Sequence, residues 1–235
     1  MNSNLMPSRA IDAVGRRLLA PPLGGAVRAY RHHGDRSARA ICLTFDDGPT
    51  RGSSERVLDA LGELGVPGTF FCVGANVAMN PDLAERMVSE GHSVGSHSQG
   101  HSRNATLSAR DVAHIDDAER AILEATGRRP TLYRPPWGWM VPWEYRRLRS
   151  RGYTLVGWDV DGLDWMTPEP SPASVVEVID ANVQNGSIIL LHDGIDLTAQ
   201  SAKTVTALAL RQVVPRLQAQ GFEFVRVDQI FGLAA

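Results

Sequence analysis

The sequence predicts an α/β fold built on a parallel sheet, either open and doubly wound or closed as a barrel. Two observations predict it. From residue 40 onward, seven short apolar runs alternate with amphipathic segments, and acidic, histidine or arginine residues follow the ends of several of these runs. In both architectures, active sites lie at the carboxyl ends of the parallel strands, so this placement also indicates an active site at that edge of the sheet.

The apolar runs are the predicted strands. They cover residues 40–46, 67–74, 92–96, 131–134, 153–158, 187–192 and 222–227. Two helix starts are marked by a capping residue followed by a proline suited to the first helical position, at Asn80-Pro81 and Ser171-Pro172. Over 202–220, apolar residues recur at helical spacing, which predicts one more long helix.

The chain is predicted to have two parts, an N-terminal extension over 1–38 and one catalytic domain over 39–235. Apolar residues recur at helical spacing over 7–20, with arginines among them. We expect a short helix that packs on the domain, and contact with a membrane surface is the alternative. The sequence shows neither an apolar run of about 18 residues nor a secretory signal, so we expect a cytoplasmic protein of bacterial type.

Composition excludes one class of partner. The chain has 24 basic and 26 acidic residues, a formal net charge of -2, and therefore no general excess of positive charge for binding nucleic acid. With 43% hydrophobic and 21% charged residues over 235 positions, it is long and apolar enough for one large core. Nothing in the composition predicts an oligomeric state.

Two adjacent carboxylates, Asp46 and Asp47, close the first predicted strand, and Gly48-Pro49 then breaks it. Burying an unpartnered carboxylate is costly, so each acid needs a metal, an arginine or a proton. The alternative is that they cap the following helix. The choice between these interpretations depends on what else lies at the same end of the sheet.

A second candidate is the histidine pair His97 and His101, which follows the third predicted strand. Residues four apart on a helix or a tight turn point the same way, and Gly100 favours a turn. Alone the pair is a weak signal. With Asp47 it forms a set of two imidazoles and one carboxylate that suits one divalent ion, zinc by default, with cobalt, nickel, manganese and iron as alternatives.

Five short motifs occur along the chain in a fixed order. They are Thr44-Phe45-Asp46-Asp47-Gly48-Pro49, His97-Ser98-Gln99-Gly100-His101, Arg134-Pro135-Pro136-Trp137, Asp161-Gly162-Leu163-Asp164-Trp165 and Leu190-Leu191-His192. In this order they resemble the motifs of the polysaccharide deacetylases, also called the NodB-homology domain or carbohydrate esterase family four. The resemblance spans residues 40 to about 231 and implies a deformed (β/α) barrel with about seven parallel strands.

The resemblance also implies a role for each charged residue. Asp47, His97 and His101 would hold the metal, whose charge acidifies water. Asp46 would be the general base that takes a proton from that water. Arg134 would keep Asp46 ionised and oriented, because an arginine partner lowers the pKa of a carboxylate.

For the later part of the reaction, the resemblance implies that His192 is the general acid, with Asp164 raising its pKa. The oxyanion would be held by the metal and by the backbone N–H of Trp137, at a position where the family usually has tyrosine. Three further residues would complete the substrate-binding set, namely Pro136, Trp165 and Leu190.

The function implied is metal-dependent hydrolysis of an N-acetyl or other short acyl group on an amino sugar. The substrate would be of the chitooligosaccharide or peptidoglycan type, or an N-acetylated sugar on a carrier. One alternative is hydrolysis of an O-acetyl ester or of a cyclic amide of the allantoin or imide kind. Another is a non-catalytic carbohydrate-binding domain. All five tryptophans fall within 137–165 and could form either core or an aromatic groove.

Overall fold

The computed structural model describes residues 30–102, 113–166, 168–194 and 204–233. A single parallel sheet curls into a half-barrel, with seven strands in the order β5-β4-β3-β2-β1-β7-β6 and β8 beside the start of β1. The strands are β1 Ala40–Asp46, β2 Thr69–Cys72, β3 Ser93–Ser96, β4 Leu132–Tyr133, β5 Thr154–Leu155, β6 Val160–Asp161, β7 Ile188–His192 and β8 Glu223–Phe224. The predicted deformed barrel of about seven parallel strands is confirmed.

Helices connect the strands. They are α1 Ser54–Leu64, α2 Gly74–Met79, α3 Pro81–Ser89, α4 Ala113–Thr126, α5 Pro142–Ser150, α6 Pro172–Asn182, α7 Val205–Ala219 and α8 Val227–Ile230, with a 3-10 turn at Pro136–Gly138. Helix α7 falls within the predicted segment 202–220. Within the described ranges, no helix combines the length and apolar character that crossing a membrane requires.

Each predicted apolar run contains a strand, and β1 has the predicted bounds. Strand β6 was not predicted because its two residues, Val160 and Asp161, lie outside every predicted apolar run, whereas the equally short β4, β5 and β8 lie inside one. It pairs with β7, where Val160 is opposite Ile189 and Asp161 is opposite Leu190. Asp161 therefore belongs to a separate strand that begins after the fifth predicted run, 153–158, has ended.

The two predicted proline-led helix starts behave differently. Ser171 caps α6, since its hydroxyl accepts a hydrogen bond from the backbone N–H of Ser174. Asn80 precedes α3 but makes no side-chain cap. Its Nδ2 instead donates to the carbonyl oxygens of Pro49, at 3.2 Å, and Asn76, at 3.1 Å. Asn80 thus ties α2 to the chain that follows β1.

Strand β1 runs through the middle of the sheet and is covered on both faces, as its apolar sequence requires. Side chains alternate along a strand. Ile41, Leu43 and Phe45 pack into the main core beneath α1 and α7. Thr44 and Asp46 lie on the opposite face, where both bind the same arginine. Because side chains alternate along β1, Asp46 lies in the interior of the half-barrel.

Of the predicted N-terminal extension, the structure describes the residues from Tyr30 onward. Arg31 bridges to Val156 at the end of β5, and His33 bridges to Ser187 just before β7. These backbone contacts attach residues 31–33 to two separate parts of the sheet. The helix predicted over 7–20 lies outside the described residues.

Candidate active site

The charged motif residues converge on the carboxyl end of the sheet. Asp46 ends β1 and His192 ends β7, and the two are register partners on neighbouring strands. His97 directly follows β3, and Arg134 directly follows β4. Asp164 lies three residues beyond Asp161, the last residue of β6, and is fully buried. The topology thus brings residues from five strands to one edge.

Asp47, His97 and His101 form a possible metal site, with one ligand atom from each all within 4.8 Å of one another. Asp47 Oδ1 lies 3.5 Å from His97 Nε2 and 3.4 Å from His101 Nε2. His97 Nδ1 must donate to the Arg134 carbonyl, 2.7 Å away, which leaves the Nε2 lone pair for a metal. Asp47 Oδ1 is buried with no hydrogen-bond partner among the described residues. These donors fit a divalent transition ion.

The protonation state of His97 also suits a metal ligand. Burial, followed by the nearby His101, lowers the pKa of His97 to about 3, although the charge of Asp47 opposes the shift. The imidazole is therefore neutral near neutral pH. Only the neutral ring has a lone pair to give to a cation.

The loops that carry the site have an unusual backbone. Five non-glycine residues in the described ranges have a left-handed φ, namely Asp47 (74°), Ser98 (68°), His101 (47°), Trp137 (55°) and Leu163 (59°). All five fall in four of the five sequence motifs. Such residues cost of order 1–3 kcal/mol each and persist only where the surroundings hold them. The site loops are therefore fixed by contacts from the rest of the fold.

Arg134 is a fully enclosed charge, with no exposed surface. Its Nη1 donates to Asp46 Oδ1 and to Thr44 Oγ1, both at 2.8 Å. Its Nη2 donates to the Gly157 carbonyl at 2.9 Å. The guanidinium carbon lies 4.1 Å from the centre of the Phe71 ring. Arg134 therefore holds one oxygen of Asp46 in a fixed direction.

Arg134 lowers the pKa of Asp46, as expected, but its charge does not decide the net shift. Burial raises the pKa of Asp46, and the charge of Arg134, although it is the largest opposing influence, does not cancel that rise. The physical reason is that Asp46 lies inside the half-barrel, where removal from water outweighs one ion pair. A carboxylate with a raised pKa accepts a proton more readily near neutral pH.

His192 and Asp164 form a second charge pair. His192 Nδ1 lies 2.8 Å from Asp164 Oδ1, and Asp164 Oδ2 accepts from the His192 backbone N–H at 2.8 Å and from Thr206 Oγ1 at 2.6 Å. Burial alone would lower the pKa of His192, but the charge and hydrogen bond of Asp164 raise it to about 9. Burial alone would raise the pKa of Asp164, but His192 and Thr206 bring it below its ordinary value. The pair is an imidazolium and a carboxylate at neutral pH.

Two tryptophans from the predicted substrate-binding set have defined contacts. The ring of Trp137 lies 4.2 Å from that of His101, so it covers a candidate metal ligand. Trp165 is half-buried, and its Nε1 donates to Asp161 Oδ1 at 3.1 Å. Pro136 and Leu190 are buried.

Trp158 has a different role. It packs against the core cluster that includes Cys42 and Phe71, and its ring lies 5.5 Å from the Arg134 guanidinium. The tryptophans within 137–165 therefore differ in role. Trp158 is partly buried and packs against the core, whereas Trp137 borders the site.

Sequence reasoning missed Asp193, which follows His192 directly. Its Oδ2 accepts from Ser54 Oγ at 2.6 Å, and a Cβ on Gly48 would overlap its carboxylate. Burial raises the pKa of Asp193 to about 7 although the Ser54 hydrogen bond opposes the shift, and the charge of Asp47 adds to the rise. The signal was available, because Asp193 follows an apolar run as Asp47 does. Two other site contacts, Asn76 and Thr206, carry no spacing signal, and Thr44 lies in the first motif without a role having been assigned to it.

Comparison with known proteins agrees with this geometry. A family model described as polysaccharide deacetylase matches residues 33–156. The chain is 36% identical over 212 residues to the chitooligosaccharide deacetylase of Bradyrhizobium sp. (strain ANU 289), covering 85% of this chain and 94% of that protein. Some other curated relatives are longer, and the chain spans 39% of their length.

Two solved structures share the fold. A peptidoglycan N-acetylglucosamine deacetylase aligns with a TM-score of 0.81 at 27% identity, over 91% of this chain and 98% of that one. A family 4 acetyl xylan esterase from Clostridium thermocellum, in complex with a cobalt ion, aligns with a TM-score of 0.74 at 32% identity. The alignment covers 83% of this chain and 93% of that one. The order of the motifs, the convergence of their side chains and these similarities agree, and the chain belongs to the polysaccharide deacetylase family.

Proposed function

We propose that this protein is a metal-dependent hydrolase that removes an N-acetyl or other short acyl group from an amino sugar of the chitooligosaccharide or peptidoglycan type. One observation carries the proposal. Asp46 and His192, a buried carboxylate and an imidazole of raised pKa, are register partners beside the cluster of Asp47, His97 and His101. Two titratable groups at one site, one suited by its surroundings to accept a proton and the other to donate one, are typical of a general base and a general acid.

Asp47, His97 and His101 would hold the metal ion. When bound, a divalent ion would acidify a water molecule and polarise the acyl oxygen of the substrate. Zinc suits this donor set, and cobalt, nickel, manganese and iron are alternatives. The cobalt ion in the acetyl xylan esterase structure supports a divalent transition ion.

Asp46 would accept a proton from the attacking water. Arg134 engages Oδ1 of this carboxylate, and the other oxygen, Oδ2, lies 3.8 Å from His97 Nε2 and so faces the metal ligands. The ion pair thus leaves one oxygen available for the proton and fixes its direction. Positioning of this kind is what a general base requires.

His192 would donate a proton to the leaving nitrogen. Its Nδ1 is engaged by Asp164, so the proton would come from Nε2 while Asp164 stabilises the imidazolium. The backbone N–H of Trp137 would stabilise the negative charge that develops on the acyl oxygen. The water oxygen joins the acyl carbon, the carbon–nitrogen bond breaks, and the products are acetate and a free amine.

The test uses the full chain, stripped with a chelator and then reloaded with zinc or cobalt. Acetate and free amine are measured with N-acetylglucosamine oligosaccharides as substrates. We expect no release from the stripped protein and recovery on reloading. Reloaded protein that binds these sugars and releases no acyl group from N-acetylated or O-acetylated substrates would instead be a carbohydrate-binding domain.

Ester hydrolysis is a second candidate, favoured by the likeness to an acetyl xylan esterase. An ester oxygen leaves far more easily than an amine and depends less on a protonated acid. The His192–Asp164 pair therefore favours the amide.

A separate comparison concerns the carrier of the sugar. Turnover of soluble chitooligosaccharides compared with turnover of a lipid-linked N-acetylglucosamine would separate polymer substrates from carrier-linked substrates.

A further inference from the structure

Asp47 has both a buried side-chain oxygen in the candidate metal site and a strained backbone conformation. Its Oδ1 is buried as the carboxylate donor of the candidate metal site, and its backbone has a left-handed φ of 74°. Carboxylate direction follows from backbone conformation, so a relaxed backbone at this position would move Oδ1 away from the two histidines. Some contact must hold the Asp47 peptide.

Two residues contact the Asp47 carbonyl. Asn76 Nδ2 donates to it at 2.6 Å, and Gly194 lies so close that a Cβ on Gly194 would overlap it. Only Nδ2 of the amide can make the first contact, because a carbonyl oxygen accepts hydrogen bonds and never donates them. Asn76 is 4% exposed, so water does not readily replace this hydrogen bond.

Asn76 lies on α2, a helix that also contacts the histidine loop. The backbone N–H of Gly74 donates to the Ser98 carbonyl and that of Ala75 to the Gln99 carbonyl, both at 2.9 Å. A Cβ on Gly74 would overlap both Gln99 and the backbone of Ala118, so this end of α2 is tightly packed against α4. Three successive residues of α2 therefore join the loop of Asp47 to the loop between His97 and His101.

We propose that Asn76 is a positioning residue for the metal site. Its amide fixes the Asp47 peptide relative to α2, and α2 in turn is fixed to the histidine loop, so the hydrogen bond sets the distance between the carboxylate donor and the imidazole donors. Asn76 acts through Asp47 and does not itself reach the ion. This inference rests on the metal site of the proposed function.

The test compares N76D with N80D. Asn76→Asp keeps the side-chain shape and removes the donor that binds Asp47. Asn80, one helical turn further on, donates to the Pro49 carbonyl at 3.2 Å and to the Asn76 carbonyl at 3.1 Å. Asn80→Asp therefore makes the same chemical change and loosens α2 from the chain after β1, but it leaves the donor of Asn76 to Asp47 in place. Zinc affinity is measured by competition with a chromophoric chelator, and the visible absorption spectrum of the cobalt-loaded protein reports the geometry of the donors.

We expect N76D to bind zinc about 10–100-fold more weakly than wild type, the loss typical of a residue that orients a metal ligand. We also expect an altered cobalt spectrum, with N80D close to wild type in both. N76A provides the same comparison without an added charge, and thermal unfolding of each metal-free variant reports general destabilisation. Wild-type zinc affinity and spectrum in both N76D and N76A would overturn the inference. A wild-type protein that binds no metal would overturn the proposed function instead.

Discussion

Asp46 and His192 end two neighbouring parallel strands and are register partners, so the candidate base and the candidate acid stand side by side at one edge of the sheet. Each has its own buried partner, Arg134 for Asp46 and Asp164 for His192, both at 2.8 Å. The two partners come from different strand ends. The site therefore consists of two charge pairs, Asp46–Arg134 and His192–Asp164, beside a cluster of candidate metal ligands. Each pair can be tested separately.

Removing the Arg134 charge should destabilise the fold. R134M leaves Asp46 and Thr44 buried without their common donor, and breaking a buried pair in this way costs about 3–5 kcal/mol. Urea unfolding measures the loss. R211M removes a surface partner of Glu63 and serves as the control, with a much smaller loss expected. Equal losses in the two variants would contradict the buried role of Arg134.

The pH profile should depend on Asp164. The acid His192 must be protonated, so activity on an amide should fall as the pH rises through the pKa of His192, about 9 in the metal-free protein. D164N removes the charge that raises this pKa, and burial then lowers it, so the fall in kcat/KM should move to lower pH.

The comparison with wild type and one control variant makes this test specific. A bound cation shifts the pKa of His192 in the same direction in wild type and in D164N. T206V, which removes one hydrogen bond from Asp164, should leave the profile closer to wild type. An unchanged alkaline limb in D164N would contradict this account.

His192 should matter more for amides than for esters. H192A removes the proton donor, and we expect a loss of about 10²–10⁴-fold in kcat on an N-acetylated sugar, the usual contribution of general acid catalysis. On an activated acetate ester, which needs little protonation of its leaving group, the loss should be far smaller. Both rates are measured on the same metal-loaded preparation, which removes differences in metal content. Equal losses on the two substrates would favour a structural role for His192.

Gly48 should tolerate no side chain. A Cβ there would overlap the Asp193 carboxylate, so G48A must displace either Asp193 or the loop of Asp47. We expect lower stability and weaker zinc binding. Gly62, in α1, has open space around its Cα, and G62A should stabilise the protein by about 0.4–1 kcal/mol. Thermal unfolding and zinc titration of both variants check the contrast, and G48A with wild-type values in both would show that Asp193 can move freely.

Sequence patterns predicted the parts of this molecule that are local. Strand β1 is a continuous apolar run, and the proline-led starts of α3 and α6 are short-range signals. Strand β6 was not predicted because Val160 and Asp161 lie outside every apolar run, so no local pattern marks them. The roles assigned to the motif residues came from order and resemblance, and they stay predictions that the experiments above test.

The environment of each group could not be predicted, because it depends on contacts between distant segments. The upward pKa shift of Asp46 follows from how deeply the curled sheet buries it, which its neighbours in sequence do not reveal. Asn76 looks like any polar residue on a short helix, and only its 2.6 Å contact with the Asp47 carbonyl distinguishes it. Asp193 could have been predicted, because it follows an apolar run just as Asp47 does.

The division of labour between the two adjacent aspartates is the central claim, and acetate release by the Asp46→Asn variant tests it most directly. The variant keeps an oxygen for Arg134 and leaves Asp47 untouched, so it should still bind one zinc ion with near wild-type affinity. We expect acetate release from an N-acetylglucosamine oligosaccharide to fall by about 10²–10⁴-fold in the zinc-loaded variant. Release at the full wild-type rate would contradict the assignment of Asp46 as the general base.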